Sequence, residues 1–100
     1  MYRIESITGS DDNERTDGRY PLRKGCTVDI WYLNINEPMM LSYIKDNEGN
    51  EKRGYLRTSV IDDYEEYDNG VTVYTMNSVY YLKKIWMKDD FGSDLERSWL

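Results

Sequence analysis

The sequence predicts an all-β fold, a small antiparallel barrel of about six to seven strands with SH3-like or OB-like character. Composition is the first observation behind this expectation. Alanine and glutamine are absent, ten residues are tyrosine, and aromatics make up 14% of the chain. Alanine is the strongest helix former, whereas aromatic and β-branched side chains suit a pleated, half-buried surface. The second observation is the alternation of apolar and polar residues over short runs, the period of a strand rather than of a helix. The third is punctuation. Turn signals recur about every ten residues, and the intervals between runs are too short for parallel crossovers, which favours up-and-down antiparallel order.

Tyr2–Thr8 is the first expected strand, followed by a polar loop from Gly9 to Gly18. In the next segment, Arg19–Gly25, Pro21 speaks against a ladder-centre position because proline has no N–H to donate. Thr27–Asn34 sets Val28, Ile30 and Tyr32 against Asp29, Trp31 and Leu33, so both of its faces should be partly covered. Met39–Asp46 comes next and leads into Asn47-Glu48-Gly49-Asn50, a hairpin turn whose glycine can take a positive φ. The partner strand, Lys52–Ser59, places Gly54, Leu56 and Thr58 on one face and Arg53, Tyr55 and Arg57 on the other. Val60–Asp68 continues it after a bend. Asp68-Asn69-Gly70 is the strongest turn signal in the chain and predicts a type I′ connection. Val71–Met76 then alternates, Asn77-Ser78 makes a second tight turn, and Val79–Trp86 puts Tyr80, Leu82 and Trp86 on one face, Lys84 being the exception.

One hundred residues hold a single core. Residues 1–87 read as one antiparallel β domain. Residues 88–100 read as an acidic tail or a docked helical turn, because Ser93 followed by Glu96 has capping-box spacing. Leu95, Trp99 and Leu100 are available to seat such a turn.

Several function classes fall away on composition. The chain has no His and one Cys, which excludes His-dependent triads, His-ligated metals, Cys-dense zinc sites and any intramolecular disulfide. No apolar run opens the sequence, so no signal peptide is expected. No stretch approaches membrane-spanning length, mean hydropathy is -0.83, and a cytoplasmic location with no membrane partner is the expectation. Cys26 reads as a small buried hydrophobe, since neither a His nor a second Cys is present to activate it. No glycine run cradles a phosphate. Neither an enzyme nor a cofactor is expected.

The acidic run Asp62-Asp63-Tyr64-Glu65-Glu66-Tyr67-Asp68 has five carboxylates in seven residues, on a chain whose formal charge is -6. One reading is a solvated hairpin arm whose charges discourage edge-to-edge aggregation. The sharper reading is a partner-binding surface on which the carboxylates stand in for phosphates and Tyr64 and Tyr67 supply rigid anchors. A glycosidase pair would need one carboxyl in an apolar pocket, which so polar a run does not offer. The loop Asp11–Gly18 fails the spacing of a calcium loop in every register.

Two further surfaces are legible. Consecutive large apolar residues cannot all face one interior, so Trp31, Tyr81 and Trp86 are candidates for an exposed aromatic interface, including one between two copies of the chain. Arg53-Gly54-Tyr55 matches the opening of an RNA-recognition pattern before Leu56-Arg57-Thr58-Ser59 departs from it. Arg53, Tyr55 and Arg57 are therefore the candidate nucleic-acid face, extended by Lys83 and Lys84 if these fold beside them. The net negative charge opposes phosphate binding, and nucleic acid is the least favoured partner.

Gly54-Tyr55-Leu56-Arg57-Thr58-Ser59-Val60, followed by Thr75-Met76-Asn77-Ser78-Val79-Tyr80, resembles a signature of short, uncharacterised β-rich proteins of gut Firmicute bacteria and their phages or mobile elements. The resemblance spans roughly residues 20 to 85. It implies a bacterial or phage setting and carries no activity with it. The leading expectation is thus a non-enzymatic domain that binds another protein, in its concrete form an inhibitor occupying the site of a basic nucleic-acid enzyme. A self-associating accessory domain and a single-stranded nucleic-acid-binding barrel are the alternatives.

Overall fold

The structure is a computed structural model and describes residues 1–85. Six strands, β1 (Tyr2–Thr8), β2 (Thr27–Tyr32), β3 (Pro38–Lys45), β4 (Tyr55–Tyr67), β5 (Gly70–Thr75) and β6 (Val79–Lys84), close into an antiparallel barrel in sequential order. Neighbours in the wall are neighbours in the chain, so the barrel is a meander, as the short connections require. The described residues contain no helix long and apolar enough to cross a membrane. Trp86, the Ser93/Glu96 capping box and the expected tail all lie outside the described residues.

The interior is filled by one cluster in which Ile4, Ile7, Val28, Met39, Leu41, Ile61, Val73 and Tyr80 are almost wholly inaccessible. Each such side chain contributes roughly 1.5–3 kcal/mol of burial. Tyr80 and Leu82 face inward as the alternation of β6 predicts, and so do Leu56 and Thr58 of β4. Thr58 is a polar residue in an apolar layer. Its hydroxyl accepts the Met39 amide at 3.0 Å and donates to the Ser59 carbonyl at 2.8 Å, so its burial leaves neither role empty.

The Arg19–Gly25 segment is not a strand. Tyr20–Arg23 is a single helical turn, α1, with proline near its start, where a missing N–H costs nothing. Lys52–Ser59 and its expected continuation Val60–Asp68 form one long strand, β4, which starts at Tyr55 and has 13 residues. Its pairing slips by one residue against β3 between Met40 and Pro38, and again against β5 between Ile61 and Asp63. Each extra residue bends the strand and shifts which side chains point inward. Leu56, Thr58, Ile61 and Tyr64 all turn to the core although no strict alternation connects them.

The β4–β5 turn corrects a second expectation. Asp68 and Asn69 join Tyr67 to Gly70, but neither has the positive φ of a type I′ turn. Glycine is required at position 70 for another reason: a Cβ there would land on the Leu82 carbonyl oxygen of β6. In the Asn47–Asn50 turn the glycine does serve φ, at 87° for Gly49. Asp46 secures that turn by accepting the amides of Glu48 and Asn50, each at 2.9 Å.

The wall is weakest between β1 and β2, which share only the register pairs Tyr2↔Val28 and Arg3↔Thr27. Just past them the Ile4 amide donates to the Cys26 carbonyl at 3.0 Å and the Gly25 amide to the Ile4 carbonyl at 2.8 Å.

Candidate interaction surfaces

The acidic run forms the second half of β4 and the turn after it. It is not an arm in water. β5 lies between β4 and β6 along its whole length, and Tyr64 packs against the core. What is open is the other edge of β4. Its pairing with β3 ends at Val60, and Ile61 closes it by donating to the Glu37 carbonyl at 2.9 Å and accepting the Asn36 amide at 2.8 Å.

Asp62, Asp63, Glu65, Glu66 and Asp68 are all exposed. Ion pairs of the described residues form elsewhere, among them Met1–Asp29, Arg3–Glu5, Arg15–Asp17, Lys24–Glu14 and Arg53–Glu51. None of the five carboxylates has a cationic partner among the described residues. Their hydrogen bonds are local: Asp63 accepts the Tyr64 amide at 2.8 Å, and one Glu65 oxygen accepts the hydroxyls of Tyr67 at 2.8 Å and Tyr74 at 3.1 Å. Both phenols are pushed above the ordinary tyrosine range, chiefly because their protons bridge to that carboxylate. Tyr81 stands on β6 opposite Thr72. With Tyr67, over the small floor of Gly70 and Thr72, it lines a shallow recess of about 220 Å³. Of the two anchors read from sequence, Tyr67 is exposed and Tyr64 is half-buried. Tyr74 was not foreseen; its place opposite Asp63, beside Glu65, depends on the slip in register.

The second surface covers the outer face of β2, β3 and the first half of β4. Trp31 and Tyr55 stack there, ring centroids 4.8 Å apart and planes 23° from parallel, yet they are 64% and 60% exposed. The register explains the meeting. Asp29, Ser42 and Tyr55 form one row across the three strands, Tyr32, Met40 and Arg57 the next, and Trp31 sits in the irregularity between them. Ser42 is small enough for rings from β2 and β4 to meet over β3. Asp29 and Arg57 thus stand at diagonal corners of the patch. The candidate interface of Trp31, Tyr81 and Trp86 is therefore divided: Trp31 belongs with Tyr55, Tyr81 belongs with Tyr67, and Trp86 lies outside the described residues. Tyr55 and Arg57 do share one face, but Lys83 and Lys84 stand on β6, which is not a neighbour of β4. Arg53 pairs loosely with Glu51 at 3.8 Å.

A third cluster seals one end of the barrel. Arg15 lies 4.3 Å from the Tyr20 ring centroid, and Arg23 lies 5.0 Å from it. Arg15 also donates to the Asn77 carbonyl at 2.8 Å and the Ser78 hydroxyl at 3.2 Å, while Arg23 donates to the buried Tyr80 hydroxyl at 2.9 Å. The residues of the sequence signature meet here as structural parts. Thr75 and Ser78 share three hydrogen bonds, and the Ser59 hydroxyl accepts the Asn77 amide. Cys26 is buried, its Sγ donates to the Leu22 carbonyl at 3.2 Å, and burial pushes the thiol above its ordinary pKa. The Gly9–Gly18 loop turns its acids inward, Asp11 to Asn13 and Asp17 to Arg15. No protein-family model matches the chain, nor does any curated protein or solved structure.

Proposed function

We propose that this chain is a non-enzymatic protein-binding domain that acts in the cytoplasm of a bacterium, or of a bacterium carrying a phage or mobile element. It engages a basic, nucleic-acid-binding surface of another protein through the acidic half of β4. The observation that carries this reading is the set of five exposed carboxylates with no cationic partner among the described residues, whereas Glu14 and Asp17 of the Gly9–Gly18 loop are paired with Lys24 and Arg15. Uncompensated like charges repel one another, and a positive partner relieves that repulsion while accelerating encounter. Tyr67, pinned by Glu65 and half-exposed, offers contact area at little conformational cost. In the inhibitor form of this reading the carboxylates occupy positions that phosphates would take in the partner's groove.

The open edge of β4 favours a second reading, in which the charges serve only to repel edge-to-edge pairing. One variant separates the two. Lysine guards an edge as well as a carboxylate does, so Asp62→Lys, Asp63→Lys, Glu65→Lys and Glu66→Lys combined should leave the barrel folded and monodisperse under either reading. The tagged wild-type chain is expected to retain a basic nucleic-acid-binding protein from a bacterial lysate and release it at high salt. The quadruple variant should bind that protein at least about tenfold more weakly. Equal retention by both chains, or recovery of no basic protein, would leave edge protection as the role of the run.

A further inference from the structure

We propose that the Trp31–Tyr55 face is the docking site of the chain's own continuation, the segment Trp86–Phe91, with Trp86, Met87 and Phe91 seated on the rings. Position is the first argument. The amide of Ile85, the last described residue, donates to the Met1 carbonyl at 3.0 Å, and the Met1 amine lies 3.5 Å from Asp29. Asp29 lines a recess of about 510 Å³ together with Tyr2, Ile30, Trp31, Ser42 and Tyr55. The chain therefore leaves the described barrel beside the rim of that recess. Direction is the second argument. β1 is antiparallel to both β2 and β6, so β2 and β6 run the same way, about 10 Å apart across β1. Continuing past Lys84 in that direction leads alongside Ile30 and Trp31. The register pairs of β1 with β2 stop at Tyr2↔Val28, while β2 runs on to Tyr32. The β1 side of its last residues thus carries no strand among the described residues. Six extended residues span about 20 Å, enough to reach both rings.

The chemistry agrees with the position. Trp31 and Tyr55 leave a broad apolar surface open, and contiguous surfaces of this kind mark places where something docks. Trp86 and Met87 are the first two residues to pass it, and Phe91 follows four residues later. Aromatic rings pack on one another in offset or edge-on arrangements, and a thioether sulfur packs favourably at a ring edge. Occupied in this way, Tyr55 is closed to stacking bases, so the face is not a nucleic-acid platform. No residue of the acidic run lines the recess, and this assignment does not depend on the reading of that run.

The test is solution NMR on the isotope-labelled full chain. Nuclear Overhauser contacts are expected from the Trp86 indole and the Met87 methyl to the rings of Trp31 and Tyr55. Trp86→Ala should shift the amide resonances of Asp29, Ile30, Trp31, Ser42 and Tyr55 and leave those of Glu65 and Glu66 in place. Trp31→Ala, which removes the other side of the contact, should move the Trp86 indole resonance towards its position in urea. Absence of these contacts in the wild-type chain, or a Trp86→Ala variant whose shifts fall elsewhere on the barrel, overturns the proposal. Contacts that arise only between labelled and unlabelled copies in a mixed sample would make the occupant a second chain, and the proposal fails. It fails equally if a single-stranded oligonucleotide shifts Trp31 and Tyr55 while the Trp86 indole stays unmoved.

Discussion

Two acid-rich stretches behave in opposite ways. In the Gly9–Gly18 loop, Asp17 is clasped by Arg15 at 2.6 Å, Glu14 by Lys24 at 2.7 Å, and Asp11 holds the backbone and side chain of Asn13. In the second half of β4, five carboxylates stand exposed with no cation to answer them among the described residues. The loop uses its charge to fix its own shape and to tie Arg15 across to Asn77 and Ser78. The strand holds its shape through the ladder with β5 and through Ile61 and Tyr64 beneath, which leaves its charge uncommitted. Charge density in a sequence therefore says little about role; what matters is whether a cation is brought within reach.

The contrast can be broken most severely at Gly70, the point where the acidic strand's hairpin is joined to the rest of the wall. Gly70→Val should destabilise the whole barrel by about 3 kcal/mol, because the added side chain must displace the β6 backbone. Urea denaturation followed by tryptophan fluorescence would read this as one cooperative shift. A loss confined to the hairpin, with the remaining transition unmoved, would mean that the acidic stretch is an appendage after all.

Substitution in the loop sharpens the same contrast. The Arg15 guanidinium holds the Asp17 carboxyl below its ordinary pKa, and the Asn13 amide does the same for Asp11. An aspartate depressed on folding stabilises the native state above its unfolded pKa, about 3.9, and ceases to do so as pH falls through the lower folded value. Asp17→Asn should therefore lower the melting temperature at neutral pH, with the difference from wild type shrinking as pH drops below about 4. A difference that is constant with pH would show that the ion pair is not its source. The smallest effect is expected on β4. Glu66→Gln with Asp68→Asn should change stability by no more than about 0.5 kcal/mol in chemical denaturation, since neither group has a partner to lose among the described residues. A large destabilisation there would erase the distinction between the two stretches.

Much of the barrel can be read directly from residue order. β1 runs over the expected residues Tyr2–Thr8, and the inward set of Leu56, Thr58, Tyr80 and Leu82 follows from period two. The reading fails where a local rule meets a tertiary demand. Asn69-Gly70 looks like turn chemistry, but the glycine answers to the Leu82 carbonyl, which no local window contains. Two slips of register in β4 decide that Ile61 and Tyr64 both face the core, and strict alternation cannot contain both. Exposure of a surface residue is easier to read from sequence than the company it keeps. Trp31 and Tyr55 meet only because β3 lies between their strands with Ser42 at the crossing point, whereas Tyr81, of like chemistry, is carried to another side of the wall.

The short β1–β2 seam makes the lone thiol a natural clock. Cys26 is buried where its carbonyl receives the Ile4 amide, one residue before the two register pairs that hold the seam. A reagent that attacks sulfur must wait for the wall to part, and local openings of this kind have their own free energies, distinct from that of global unfolding. Labelling of Cys26 therefore times how often the barrel unbuttons at its shortest join, without any probe having to be engineered into the chain.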